Sequence, residues 1–403
     1  MRAKRLVVAA TSAAILVSGL VVATSPAQAA INYCNVQNLQ QAGGMDALVK
    51  AAKKEGELNI ITVPRDWANY GEAIDIFTKA FGIKINSDNP EGSSAYEIQT
   101  IKTVKDPAKQ PDVVDIGISV LPDALGIGRK SLFTPYKVAN WKDIPAEWKD
   151  ENGLWYGDYY GVLAISYDAS LTKAPKSIND LLTDPAFKGS FALTGDPTAS
   201  QQALMGLFAV AAVSGGSANN IMPGIEAIKA AKANGNFVAV TANSANYAAG
   251  AYKATITWDF NGPGAIASAK TIGKDLKFVM PSDVALQGTP YLQAINAKAP
   301  HCAAARLWEE YLYSQVIGKG SKEITAADKK LSGSKLMATI MGGQNVWVSG
   351  AAHPMTEAAM IKKKTIVASP EGFAIPKSAK RVAPNPDQQT EQKAVVVTEW
   401  PKI

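Results

Sequence analysis

The sequence predicts an α/β protein of two lobes, each an open sheet flanked by helices, with a ligand cleft between them. Three observations carry that expectation. Strand-like and helix-like runs alternate over residues 56–119, and a second alternating series follows from 161. The chain has 403 residues, and the roughly 370 that follow an N-terminal leader exceed what one hydrophobic core usually holds.

The elements follow in order. Residues 56–63 (GELNIITV) form a short β-rich run. In 69–82 (NYGEAIDIFTKAFG), Asn69 and Glu72 stand at capping-box spacing, and Ile74, Phe77, Ala80 and Phe81 share one helical face. Gly82 ends that helix, a usual role for glycine just past a helix. A second strand is read at 83–86. The 94–105 helix repeats the box with Ser94 and Glu97, and 112–119 (DVVDIGIS) is a third strand. This β-α-β-α-β order is the half-unit of an open sheet with helices on both faces. The second series has strands at 161–168 and 189–195, then a helix over 197–215 with Asp196 as N-cap and Pro197 in its first position. IEAIKAAKANG reads as a helix, NFVAV as a strand, SANYAAGAYK as a helix and ATITWDF as a strand. Strands at 276–281 and 291–297 and a helix rich in Leu, Trp and Tyr complete the pattern, and the remainder to Ile403 reads as largely helical.

Residues 1–29 read as a signal peptide. Arg2, Lys4 and Arg5 precede an apolar stretch from Leu6 to Val22, and Ala27-Gln28-Ala29 has the small-x-small form of a cleavage site. The expected product starts near Ala30 and is soluble and exported to the periplasm, extracellular space or cell surface. No later stretch reaches the roughly 18 apolar residues needed for a bilayer span. Without the leader, 38 basic residues face 35 acidic ones. That near balance argues against a nucleic-acid partner, and Lys362-Lys363-Lys364 reads as a solvated helix face. Cys34 and Cys302 are the only cysteines. In an exported chain such a pair is expected to form a disulfide, and AINYC lacks the residues of a lipidation site.

Polar and aromatic residues gather at the strand ends, where an open α/β sheet places its crevice. Arg65, Asp66 and Trp67 follow the first strand. Asp88, Asn89, Glu91 and Ser93 follow the second, and Ser119 ends the third. Thr198 and Ser200 open a helix whose positive end could receive an anion. Trp258, Asp259 and Asn261 end the strand TITWDF before Gly262-Pro263-Gly264 stops it. Each has a plainer reading. Arg65 and Asp66 can pair at the surface, the tryptophans can belong to the core, Asp196 can be a helix cap only, and Asp259 can be turn chemistry. GLWYGDYYG (153–161) is either hinge packing or cleft wall. Catalysis has little support. The two histidines, His301 and His353, have no partner at zinc spacing, and neither H-E-x-x-H nor G-x-S-x-G occurs. A hydrolase built on paired carboxylates remains the alternative of a different class, because such pairs leave no local signature. No cofactor or metal is expected.

PKSINDLLTDPAFKGSFALTGDPTAS (175–200), with the leader and the β-α-β-α-β opening, resembles the extracellular solute-binding proteins of ABC importers. The branch is the one that includes ferric-iron, thiamine, polyamine and phosphonate binders. YLQAINAKAPHCAAARLWEEYLYS (291–314) is similar to a further region of that family, and the likeness extends over most of residues 45–315. The resemblance implies the periplasmic-binding-protein fold with open mixed sheets. It puts 30–160 and 281–403 in lobe 1 and 161–280 in lobe 2, with the C-terminal helices packed on lobe 1 and both cysteines in that lobe. It also implies closure around a small solute and docking on a membrane permease; no enzymatic activity is expected, and nothing in the sequence suggests more than a monomer. Ferric-iron members end the strand corresponding to TITWDF in adjacent tyrosines, whereas this chain has Asp259-Phe260. Polyamine and thiamine binders use aromatic walls with a carboxylate, to which Trp258-Asp259 is similar, with Asp66, Trp67 and Tyr291 in support. A cationic or zwitterionic organic solute is therefore expected. An anion held by Arg65 and the helix opening at 197, or ferric iron, are the alternatives.

Overall fold

A computed structural model describes residues 31–126, 130–316, 318–343 and 375–403. The expected leader, His353 and the Lys362–Lys364 run lie outside the described residues. The first elements are α1 (Met45–Glu55), β1 (Glu57–Ile61), α2 (Tyr70–Phe81), β2 (Lys84–Asp88), α3 (Ser94–Thr103) and β3 (Val113–Ile116). β1 and β2 pair in parallel with Glu57 opposite Lys84. The predicted third parallel partner does not continue that ladder. The Asp112 N–H bonds the Asn59 carbonyl at 2.8 Å, and the Asp112 carboxylate accepts the Asn59 N–H at 2.6 Å. A side chain thus occupies the place of a ladder bond.

The next elements are α4 (Leu121–Leu125), β4 (Phe133–Thr134), β5 (Tyr156–Gly157), β6 (Leu163–Asp168), α5 (Ile178–Thr183), β7 (Phe191–Ala192), α6 (Gln201–Val213), α7 (Met222–Ala233), α8 (Ser244–Ala248), β8 (Ala254–Trp258), α9 (Gly262–Thr271), β9 (Leu276–Val279), β10 (Val284–Leu286), β11 (Leu292–Asn296), α10 (Cys302–Leu312) and α11 (Gly333–Met337). The tail adds β12 (Lys380–Val382) and α12 (Pro386–Glu399). One sheet has β11 between β3 and β4, with β5 also paired to β11, all antiparallel. A second has the order β7-β8-β6-β9 and is mixed, with only β7 and β8 parallel. The fold is a mixed α/β architecture.

Local sequence explains most element ends. Ser177 and Asp180 form a reciprocal capping box at the start of α5. α6 is buried on every side, as a helix apolar all round must be, but it starts later than expected. Ser200, not Asp196, caps it through a bond from the Ala203 N–H. α3 likewise starts from Ser93, whose Oγ accepts the Tyr96 N–H; Glu97 is turned inward and is 1% exposed. Glu72 leaves its own helix start and accepts from Ser321 at 3.0 Å. NFVAV (236–240) makes only an isolated bridge from Phe237 to Phe191 and no strand.

Cys34 and Cys302 are joined by a disulfide. Beside it the buried Arg306 donates to the carbonyls of Val36, Cys302 and Cys34. The chain passes between the two sheets at residues 158–162 and again at 280–291. These segments touch where the Gly288 N–H bonds the Gly161 carbonyl at 3.0 Å. The tail braces the second segment: β12 pairs in parallel with β10, with Val284 opposite Lys380, and the Gln287 N–H reaches the Val382 carbonyl at 2.9 Å. α12 then bonds to both flanks. Its Gln392 accepts the Ile221 N–H, its Lys393 donates to the Ser119 carbonyl, and the fully buried Gln389 accepts from Gln201 and donates to Thr289.

Candidate functional site

A cavity of about 430 Å³ lies among the loops after β1 and β2, the starts of α3, α6 and α8, the face of α9, and strand residues of both sheets. Five of the ten expected ligand residues are on its wall: Asp66, Trp67, Ser200, Asn261 and Tyr291. Contacts cross it. Ser268 Oγ on α9 donates to Asp66 Oδ2 at 3.1 Å, and Trp67 packs against Phe260 and Tyr291 with ring centroids 5.7 Å away in each case. Trp67 Nε1 also donates to the Tyr159 hydroxyl.

The other five lie off the wall, each for an identifiable reason. Arg65 points outward and pairs with Asp75 at 2.8 Å, with more than half of its side chain exposed. Ser119 is buried, and its backbone N–H and carbonyl are bonded to Gln201 and Lys393. Thr198 bonds back to Asp196 at 2.7 Å in the turn that precedes α6. Trp258 is buried behind the wall, donating through Nε1 to the Tyr291 hydroxyl at 3.1 Å.

Asp259 is the largest departure. It is 5% exposed, and its Oδ1 accepts the backbone N–H groups of Val162 and Phe260 at 3.1 and 2.9 Å. Burial pushes its pKa up to about 7, against the opposing pull of those N–H donors. Asp259 therefore fastens the end of β8 to the first inter-sheet segment, which is the turn reading with a tertiary role added.

Charge on the wall comes from other residues. Asp66, Glu91, Glu97 and Asp115 contribute carboxyl groups, and among the described residues no Lys, Arg or His lines the cavity. Glu97 Oε2 accepts the Asp115 N–H at 3.0 Å. Asp115 Oδ2 accepts the hydroxyls of Tyr70 and Tyr159 at 3.0 and 2.9 Å. Burial, reinforced by their neighbouring acids, drives both carboxyls well above the ordinary range. Sequence reasoning missed this pair, because Glu97 sits three residues after Ser94 and resembles a local helix cap, while Asp115 falls inside an apolar strand. The remaining wall is aromatic (Tyr159, Tyr247, Tyr252) and neutral polar (Thr194, Gln202, Asn243, Thr257).

The backbone around the cavity is strained. Among the described residues, the non-glycine positions with positive φ are Thr62 (51°), Ala68 (44°), Asn69 (62°) and Asn89 (37°). All four lie in the two loops, after β1 and after β2, that border the cavity. Such strain persists where surrounding structure over-determines it, and it concentrates at ligand sites. Among the described residues no group of three or more His, Cys, Asp or Glu side chains could hold a metal ion, and no helix is long and apolar enough to cross a membrane.

Comparison with solved structures places this architecture. The periplasmic binding protein P5PA superposes with a TM-score of 0.55 at 20% identity, over 86% of this chain and 99% of its own. The periplasmic binding protein AfuA from Actinobacillus pleuropneumoniae, with exogenous fructose-6-phosphate bound, gives 0.55 at 17% identity over 86% and 98%. A periplasmic thiamin binding protein gives 0.54 at 15% identity over 86% and 95%. The fold is thus that of the two-lobed periplasmic binding proteins. Residues 112–331 match the family described as bacterial extracellular solute-binding protein, and the chain belongs to that family. Its members are the substrate-binding components of ABC-type importers, binding proteins and not enzymes. A comparison with curated protein sequences yields no match.

Proposed function

We propose that this chain is exported after cleavage near Ala29 and captures a small cationic or zwitterionic organic solute, which it delivers as a monomer to a membrane permease. Residues 30–160 and 281–403 form one lobe and 161–280 the other, and the lobes close on the solute. Support for that division comes from the sheets: one draws its strands from 113–157 and 292–296, the other from 163–279. The observation that carries the choice of solute is the acidic chemistry of the wall, four carboxyl groups with no base among the described residues. Trp67, Tyr159 and Tyr291 supply aromatic faces, each able to add about 0.5–2 kcal/mol for a cation. An anion would meet only uncharged donors, namely helix starts, hydroxyls such as Ser200 and the amides of Gln202 and Asn243, which suits the minor end of a zwitterion.

A thermal-shift screen with thiamine and its phosphates, putrescine, spermidine, aminoethylphosphonate and ferric citrate tests the reading. A solute at about 100 times its dissociation constant stabilises the folded state by about 2.7 kcal/mol. The expected hits carry positive charge. A shift with ferric citrate and with none of the cation-bearing solutes would overturn the reading.

A further inference from the structure

We propose that Glu97 and Asp115 form a seat for an N–H-bearing ammonium group, and that a proton leaves the pair when the cation arrives. The inference rests on the cationic reading above and narrows it to primary and secondary amines, excluding quaternary nitrogen.

The geometry begins with two oxygens. Asp115 Oδ1 and Glu97 Oε1 are buried without a hydrogen-bond partner of good geometry, the other oxygen of each carboxyl is bonded, and the Thr62 hydroxyl beside Glu97 also favours its charged form. The two residues are 1% and 7% exposed, come from different elements, and both line the cavity. Buried polar atoms are seldom left unsatisfied. Two acceptors at one cavity wall call for a ligand that donates, which an ammonium N–H does and a trimethylammonium group does not. A quaternary nitrogen would still be attracted to aromatic faces, so aromatic contacts alone do not separate the two kinds of cation, and the carboxyl pair does.

The surroundings explain the proton. Glu97 on α3 faces Asp115. Asp115 on β3 faces Glu97, Tyr70 of α2, Asp158 and Tyr159 after β5, and Tyr291 ahead of β11, with Glu309 and Tyr313 of the α10 region beyond. Apart from the Thr62 hydroxyl beside Glu97, all of these are acids or phenols. With no base at hand, burial disfavours the charged form, and both carboxyls are held well above their usual range. An arriving ammonium reverses the preference. A carboxylic O–H gives its proton to solvent, the carboxylate remains, and N–H···O bonds form without any other bond breaking. Affinity then rises with pH, up to about tenfold per unit, for as long as the cation-free pair still holds its proton.

Calorimetry with two probes tests this: 1,4-diaminobutane, and the same four-carbon chain carrying trimethylammonium at both ends. Titrations near neutral pH in two buffers of different ionisation enthalpy count the protons released. The expected result is diamine binding at least about tenfold tighter than the quaternary probe, with release of up to about one proton. Glu97→Gln, which keeps an acceptor for the Asp115 N–H, should lower diamine affinity at least about tenfold and reduce the proton release. Equal affinity for the two probes, or diamine binding by the wild type with no proton released, overturns the seat and leaves the cationic reading standing. Failure of both cations to bind overturns the reading and the seat with it.

Discussion

Asp259 shows how one residue can satisfy a sequence pattern and serve a different end. A carboxylate between two aromatic residues at a strand terminus reads as a ligand group. In the structure its Oδ1 is occupied by two backbone N–H groups, behind the cavity wall. Asp259→Asn preserves that acceptor, so solute affinity should change less than about twofold, measured by calorimetry with any hit from the screen. Stability is where the substitution should be felt. The folded-state pKa is raised to about 7 from an ordinary 3.8, so between those values the folded chain holds a proton that the unfolded chain has released. Stability is therefore lost as pH rises through this window. Wild-type stability relative to that of Asp259→Asn should fall between about pH 4 and about pH 7, by a few kcal/mol at most, read as a shrinking difference in melting temperature. Parallel melting curves at all pH values would contradict this.

At the scale of elements, the cavity is narrow because backbone approaches backbone. A Cβ on Gly264, near the start of α9, would collide with the carbonyl oxygen of Asp66, the residue whose carboxylate already receives the Ser268 hydroxyl. Gly264→Ala is expected to weaken solute binding at least about tenfold. It should shift the melting temperature of the ligand-free protein by only a few degrees, as scanning calorimetry and titration of the same sample would show. Much of this layer was legible beforehand. Most strands and the main helices were visible because their apolar spacing is local, whereas the Ser177–Asp180 box emerged only in the structure. What escaped was set by distant partners. Asp112 interrupts a ladder by bonding a residue 53 positions away. NFVAV has the composition of a strand but only one bridging partner. Glu97 and Asp115 look like a cap and a core residue until α2, α3 and β3 are brought together around them. Half of the residues picked by the strand-end rule line the cavity; others, such as Arg65 and Thr198, reach nearer partners first.

Across the whole molecule, the longest covalent tie is the Cys34–Cys302 disulfide, spanning 268 residues of sequence. Chain-entropy arguments value so long a loop at about 5–6 kcal/mol at most. The double substitution Cys34→Ala with Cys302→Ala should lower the melting temperature by several degrees and leave solute affinity within about twofold, because neither cysteine approaches the cavity wall. Non-reducing peptide mapping of the wild type should recover the linked pair, and two free thiols would contradict the bond. The tail has a mechanical consequence. β12 stiffens the second inter-sheet segment as far as Gln287, and Asp259 clamps the first at Val162. Between these anchors stand Gly161 and Gly288, joined by one hydrogen bond and with no room for a side chain on either. We therefore expect a rotation of one sheet against the other to pivot at that glycine pair, so that the arc of opening is governed by two residues off the cavity wall.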